Sequence, residues 1–152
     1  MISRQVRFFL VDDDLDDVLL FEEILKEIDP SILFYRAENG IAALEKLRSF
    51  DDKLPNYIFL DLNMPLMDGK QCLEELKKDD KLKNIPVIMF TTSSQSRDIE
   101  QTIQMGATCF ITKPASMNEL KNILASIAES TSRNLRETIQ QLSNVSSTFI
   151  VC

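Results

Sequence analysis

The stretch IFLDLNMPLMDG (58–69) runs from apolar residues straight into an acid, Asp61, and then turns through Pro65 and Asp68-Gly69. With Tyr57 ahead of it, the run YIFL (57–60) is too short for a helix and apolar on both alternations, as suits a strand covered on both faces. An acid set against such a strand is costly to bury without a partner. Outward from this point the pattern repeats. VRFFLV (6–11), ILFYRA (32–37), VIMF (87–90) and TCFIT (108–112) are similar short runs, rich in β-branched and aromatic residues.

Between them lie helical stripes. Phe21, Ile24, Leu25 and Ile28 form the first, Ala43, Leu44 and Leu47 the second, and Cys72, Leu73 and Leu76 the third. Ile99 with Ile103 follows, then Met117, Leu120, Leu124 and Ile127, with Ser116 to Glu119 matching a capping box. Asn39-Gly40, Pro65, Asp68-Gly69, Pro86 and Pro114 punctuate the joins. Regular βα alternation implies an α/β fold: a mostly parallel sheet with helices on both faces and right-handed crossovers. After about residue 130 the character changes. The tail 130–152 has one weak stripe (Leu135, Ile139, Leu142) and an apolar end, Phe149 to Val151. It is too short for an output domain of its own. Three roles are open to it: extending the last helix, packing back on the body, or joining two chains as a homodimer.

Composition narrows the chemistry. The balance of 44% hydrophobic and 27% charged residues over 152 positions is that of an ordinary globular domain. No apolar run approaches the roughly 20 residues needed to span a bilayer, and no signal peptide opens the chain, so the expectation is a cytoplasmic protein without membrane insertion. A net charge of −7 without a basic stripe argues against nucleic acid as a partner. Cys72, Cys109 and Cys152 are far apart and lack metal spacing, and are read as free thiols. The chain has no histidine, which excludes Ser-His-Asp and Cys-His nucleophile sites and imidazole-based zinc sites.

What remains is carboxylate, hydroxyl and lysine chemistry. In an open α/β sheet, ligands bind at the carboxyl ends of strands. There the sequence places Asp12-Asp13-Asp14, Asp61, Thr91-Thr92 and Lys113-Pro114. Clustered carboxylates repel one another unless a cation compensates, and an oxygen-only donor set selects a hard ion, Mg²⁺ first and Mn²⁺ next. Taken singly these residues have ordinary readings: Asp12 to Asp14 start a helix, Thr91 ends a strand, Lys113 sits on the surface and Phe110 in the core. Together they form a site at which a carboxylate nucleophile can accept a phosphoryl group.

The segments FFLVDDD, AENGIAALEKL, IFLDLNMPLMDG, IPVIMFTTS and MGATCFITKP, in this order, resemble the receiver domain of two-component response regulators. The resemblance spans residues 6 to about 129, giving a receiver domain at 1–129 followed by the tail. It implies a flavodoxin-like (βα)5 fold with a five-stranded parallel sheet in the order 2-1-3-4-5. It makes Asp61 the phospho-acceptor and Asp12 and Asp13 the Mg²⁺-holding acids, with the Asn63 carbonyl completing the metal site. Thr91 matches the switch hydroxyl, Phe110 the aromatic residue that repacks with it, and Lys113 the lysine that bonds the phosphoryl oxygens. Thr92 and Ser93 fall where members tune access to the acyl phosphate. The Lys113–Pro114 bond is usually cis in the family. Departures are Asp14, a third consecutive acid, Phe110 in place of the tyrosine of some members, and Ala115 where an aromatic is common.

The implied function is a signalling switch, with a sensor histidine kinase or phosphotransfer protein as donor and catalysis confined to the chain's own phosphorylation and dephosphorylation. A phosphorelay intermediate or phosphate sink would use the same site. A haloacid-dehalogenase-like phosphatase is the rival from another class, imitated by Asp12-x-Asp14 with Thr91 and Lys113. It leaves Asp61 unexplained and lacks the acidic pair expected after the lysine.

Overall fold

The computed structural model describes residues 5–51 and 53–152. Strands β1 (Arg7–Val11), β2 (Leu33–Ala37), β3 (Tyr57–Leu60), β4 (Val87–Thr91) and β5 (Cys109–Thr112) alternate with helices α1 (Leu15–Ile28), α2 (Gly40–Ser49), α3 (Gly69–Lys78), α4 (Ser96–Gln104) and α5 (Met117–Glu129). Two further elements follow, α6 (Leu135–Ser143) and β6 (Ile150–Val151). The sheet order is β2-β1-β3-β4-β5-β6. Its first five strands are parallel in the expected order, and β6 adds an antiparallel sixth.

Each central strand feeds two cores, which is why its sequence lacks polar alternation. Phe8, Leu10, Phe59, Ile88, Phe90 and Ile111 face one side, packed with α1, α5 and α6 through Phe21, Leu25, Leu124 and Ile139. Phe9, Val11, Ile58, Leu60, Met89 and Phe110 face the other, packed with α2 and α3 through Leu44, Leu47, Leu73 and Leu76. Among the described residues no helix is long and apolar enough to cross a membrane.

The helix starts show how local chemistry meets the sheet. Asp14 caps α1, its side chain accepting from the amides of Asp16 and Asp17. Asp68 caps α3 in a full capping box with Gln71, a pair that reads in the sequence only as a turn. The Ser116–Glu119 box is only half made. Ser116 accepts from the Glu119 amide, but the Glu119 carboxylate turns to the tail and takes hydrogen bonds from Ser146, Ser147 and Thr148. Those tail donors offer a carboxylate more than the single cap amide does.

The tail corrects two expectations. Helix α5 stops at Ser130, whose carbonyl accepts from the buried Tyr57 hydroxyl at 2.9 Å, and the chain folds back as α6 with Leu135 and Ile139 fully buried. Among the described residues the sheet therefore has six strands. Antiparallel pairing of Phe110 with Val151 and Ile111 with Ile150 then brings Cys152 beside Cys109, and the two form a disulfide. They are not free thiols: the tail's return over 43 residues, invisible in the spacing, makes them neighbours. Cys72 alone among the three is a free cysteine, buried on α3.

Because Ile139 is fully buried against the same core as α1 and α5, Ile139→Ala should cost about 3 kcal/mol. This is read as a lower urea midpoint at unchanged slope. A loss below about 0.5 kcal/mol, typical of surface sites, would mean that α6 is not part of the cooperative unit.

Candidate functional site

Strand pairing carries past the strand ends and fixes the site's backbone. The Asp12 amide donates to Ala37 at 3.0 Å, the Asp61 amide to Val11 at 3.0 Å and the Lys113 amide to Thr91 at 2.7 Å. Each of these residues is thus laddered to its neighbour while its side chain leaves the sheet at the rim. Gly69 closes the β3–α3 loop beneath. A Cβ there would stand 2.2 Å from the Asp61 carbonyl oxygen, so only glycine permits this approach.

The side chains converge. Asp12, Asp13 and Asp61 each present a carboxylate oxygen within 4.8 Å of the others. Asp12 and Asp61 are buried and Asp13 is exposed, so the cluster has a solvated side. Lys113 reaches in from the end of β5, with Nζ 2.8 Å from Asp12 Oδ2, 2.7 Å from Asp17 Oδ2 and 3.9 Å from Asp61 Oδ2. Asp61 Oδ1 accepts from the Leu62 amide at 2.8 Å, which fixes the carboxylate and leaves Oδ2 on the lysine side. Asp12 Oδ1 accepts from the Asp14 amide at 2.9 Å. The three consecutive acids thereby separate into roles: Asp12 and Asp13 join the cluster, and Asp14 caps the helix.

Burial raises the Asp12 carboxyl above the ordinary aspartate range, against the lowering effect of its Lys113 and Asp14 hydrogen bonds, and the Asp61 charge adds to the rise. Burial alone would lower the Lys113 ammonium. Its hydrogen bonds to Asp12 and Asp17 and the charge of Asp61 outweigh that and raise it, so it stays protonated. A set of hard oxygen donors with one open side and excess negative charge suits a divalent cation such as Mg²⁺ or Mn²⁺.

Other expected residues lie around this centre. Thr91 is fully buried at the end of β4, its hydroxyl facing the Ser93 amide at 3.5 Å. Thr92 and Asn63 are exposed, and Ser93 is half-buried. Phe110 is fully buried in the core on the α2–α3 side. Pro114 follows Lys113 through a trans bond, since there is no cis peptide among the described residues; an X–Pro bond differs little in energy between the two forms. Two features escaped the sequence reading. Asp17, in the first turn of α1, shares Lys113 with Asp12. Lys70 on α3 reaches Asp98 at 2.7 Å and Gln101 at 2.6 Å on α4, while the Ser93 hydroxyl donates to Asp98 at 2.8 Å.

A parallel α/β sheet with an acidic cluster and a lysine at its carboxyl rim defines a receiver domain. The chain belongs to the response regulator receiver domain family of two-component signalling, whose family model matches residues 8–125. It is 34% identical over 124 residues to the response regulator Rcp1 of Synechocystis sp., covering 78% of this chain and 83% of that protein. It is also 34% identical to the sensor histidine kinase CheAY of Helicobacter pylori, over 75% of this chain and 14% of that one. Among solved structures, the phosphorylated cyanobacterial phytochrome response regulator RcpA superposes with a TM-score of 0.72 at 28% identity, covering 95% of this chain and 99% of that one. The Mn²⁺-bound form of Rcp1 gives a TM-score of 0.71 at 31% identity, over 83% and 96% of the two chains.

Because the folded-state pKa of Asp12 is raised, the folded chain takes up a proton there before the unfolded chain does as pH falls. This group's contribution to stability therefore declines as pH rises through the window between the two values. Asp12→Asn removes the buried charge and keeps an oxygen for the Asp14 amide. In EDTA at pH 7 the variant should be more stable than wild type, read as a higher urea midpoint. Millimolar Mg²⁺ or Mn²⁺ should then raise the wild-type midpoint and leave that of the variant unchanged.

Proposed function

We propose that the chain is a phosphoryl-accepting switch in which Asp61 takes a phosphoryl group from a sensor histidine kinase or phosphotransfer protein, with Mg²⁺ in the acidic cluster. The observation that carries this reading is the geometry of Asp61: one oxygen held by the Leu62 amide, the other turned toward the Lys113 ammonium inside a carboxylate cluster. Oδ2 is then the attacking oxygen. Its bond to phosphorus forms as the phosphorus–nitrogen bond of the donor breaks and the electron pair returns to the imidazole. Lys113 moves off Asp17 onto a phosphoryl oxygen, exchanging one anion for another. The Thr91 hydroxyl, weakly engaged at 3.5 Å, is available to donate to a second. A cation held by Asp12, Asp13, Asp61 and the Asn63 carbonyl would supply charge that offsets the carboxylates and the incoming phosphoryl oxygens.

The added charge of roughly −2 shifts a pre-existing equilibrium at the rim. Thr91 leads into the β4–α4 loop, where Ser93 is tied to Asp98 of α4 and its carbonyl accepts from Thr112 of β5 at 3.0 Å. Movement of Thr91 is thereby passed to the face formed by α4, β5 and α5, with Phe110 repacking beneath. Catalysis is confined to the chain's own aspartyl phosphate. A net charge of −7 favours protein over nucleic acid as the next partner. The phosphatase rival loses its second acid, because Asp14 is engaged in capping α1.

Incubation with acetyl phosphate and Mg²⁺ should add about 80 Da to the wild-type mass, as one phosphoryl group. The gain should vanish with EDTA and be absent in Asp61→Asn. Lys113→Ala should slow labelling by about tenfold or more, since it removes a cation already beside the acceptor. Labelling of Asp61→Asn at the wild-type rate would place the acceptor elsewhere and sink the reading.

A further inference from the structure

The Cys109–Cys152 disulfide ties β6 to β5 in the groove where α4, β5 and α5 meet. Val151 packs with the core on the α4 side and shares a hollow with Ile99 and Ile103, while Ile150 and Cys152 pack with the core on the α5 side. The strand thus lies across the face that the proposed switch would present to partners.

Besides the disulfide, β6 is held by its place beside α6 and by a few short contacts. Helix α6 docks through Leu135 and Ile139, and the Glu119 carboxylate clamps Ser146 to Thr148. Beyond that clamp there remain a two-residue ladder, one bond from the Thr112 amide to the Phe149 carbonyl at 3.0 Å, and the half-buried Ile150 and Val151. Phe149 is half exposed and Val145 almost wholly so, and neither anchors the segment. So short a pairing does not persist on its own.

We infer that Cys109–Cys152 is a redox-operated latch: as a disulfide it holds β6 over the edge of β5, and its two-electron reduction releases β6 and bares the groove between α4 and α5. The signalling consequence, access of a partner to that face, rests on the proposed function; the latch itself does not. The reductant is a dithiol. One of its thiolates attacks the sulfur of Cys152, the half-buried residue of the pair, the S–S bond breaks, and the fully buried Cys109 leaves as a thiolate that takes up a proton. The second thiol then displaces Cys152 from the mixed disulfide. Two electrons and two protons pass to the chain, and the dithiol closes to its own disulfide. Cys72 stands apart: it is buried on α3, and burial pushes its thiol up to about 12, so it stays out of the exchange.

The test uses the full chain without metal or phosphodonor. Protein oxidised with diamide and then denatured should take one iodoacetamide label, and three after dithiothreitol. In the native state, hydrogen exchange at the amides of 110–112 and 150–152 should quicken by about tenfold or more on reduction, with α1 and α6 unchanged. Cys152→Ser should show the fast exchange without any reductant. Three labels on the oxidised protein would mean that the bond does not form, and equal exchange in oxidised and reduced protein would mean that it holds nothing; either overturns the latch. Neither measurement involves Asp61 phosphorylation, so this inference and the switch stand or fall separately.

Discussion

The Lys113 ammonium is the constraint on which the site depends. Three carboxylates, Asp12, Asp17 and Asp61, approach it from β1, α1 and β3, and without it their repulsion would splay the rim of the sheet. A buried charge of this kind is costly alone and tolerable only when paired and hydrogen-bonded. Its own burial works against it, yet the surrounding anions keep it charged. The arrangement binds four elements through one atom and at the same time keeps the cluster short of neutrality. The residual negative charge attracts a cation. Under the proposed function the lysine, already in place, turns to the phosphoryl group on Asp61.

A second polar network links this centre to the surface. The Thr112 hydroxyl donates to the Ser93 carbonyl, the Ser93 hydroxyl to Asp98, and Lys70 to Asp98 in turn. Asp98 is held below the ordinary aspartate range by Lys70 first and Ser93 second, so it remains an acceptor at neutral pH. The end of β5, the β4–α4 loop and the starts of α3 and α4 are therefore joined by hydrogen bonds rather than by packing alone. Hydrogen bonds of this kind can exchange partners, whereas the close-packed core below can only deform.

Much of this was legible from residue order. Strands buried on both faces read as unbroken apolar runs, and the acids, hydroxyls and lysine follow them directly, so the rim of the sheet could be assembled on paper. Asp17 was not legible because nothing in its spacing distinguishes a first-turn helix acid from a salt-bridge partner; only the reach of Lys113 across 96 positions selects it. Glu119 was misread for a related reason, its local partner being outbid by donors 27 to 29 residues away. The tail's weak stripe left its destination open. Once α6 docks through Leu135 and Ile139, β6 and the disulfide follow from the return path, but the sequence offers no local signal for that docking.

The sixth strand has a consequence for solubility. With β5 as its border, the sheet would end on a row of unpaired backbone donors and acceptors beside Phe110 and Ile111, the kind of edge along which other chains stack into aggregates. Strand β6 satisfies part of that row and, at two residues, is itself too short to serve as a template. An antiparallel strand that is brief and covalently pinned thus covers that border of the sheet.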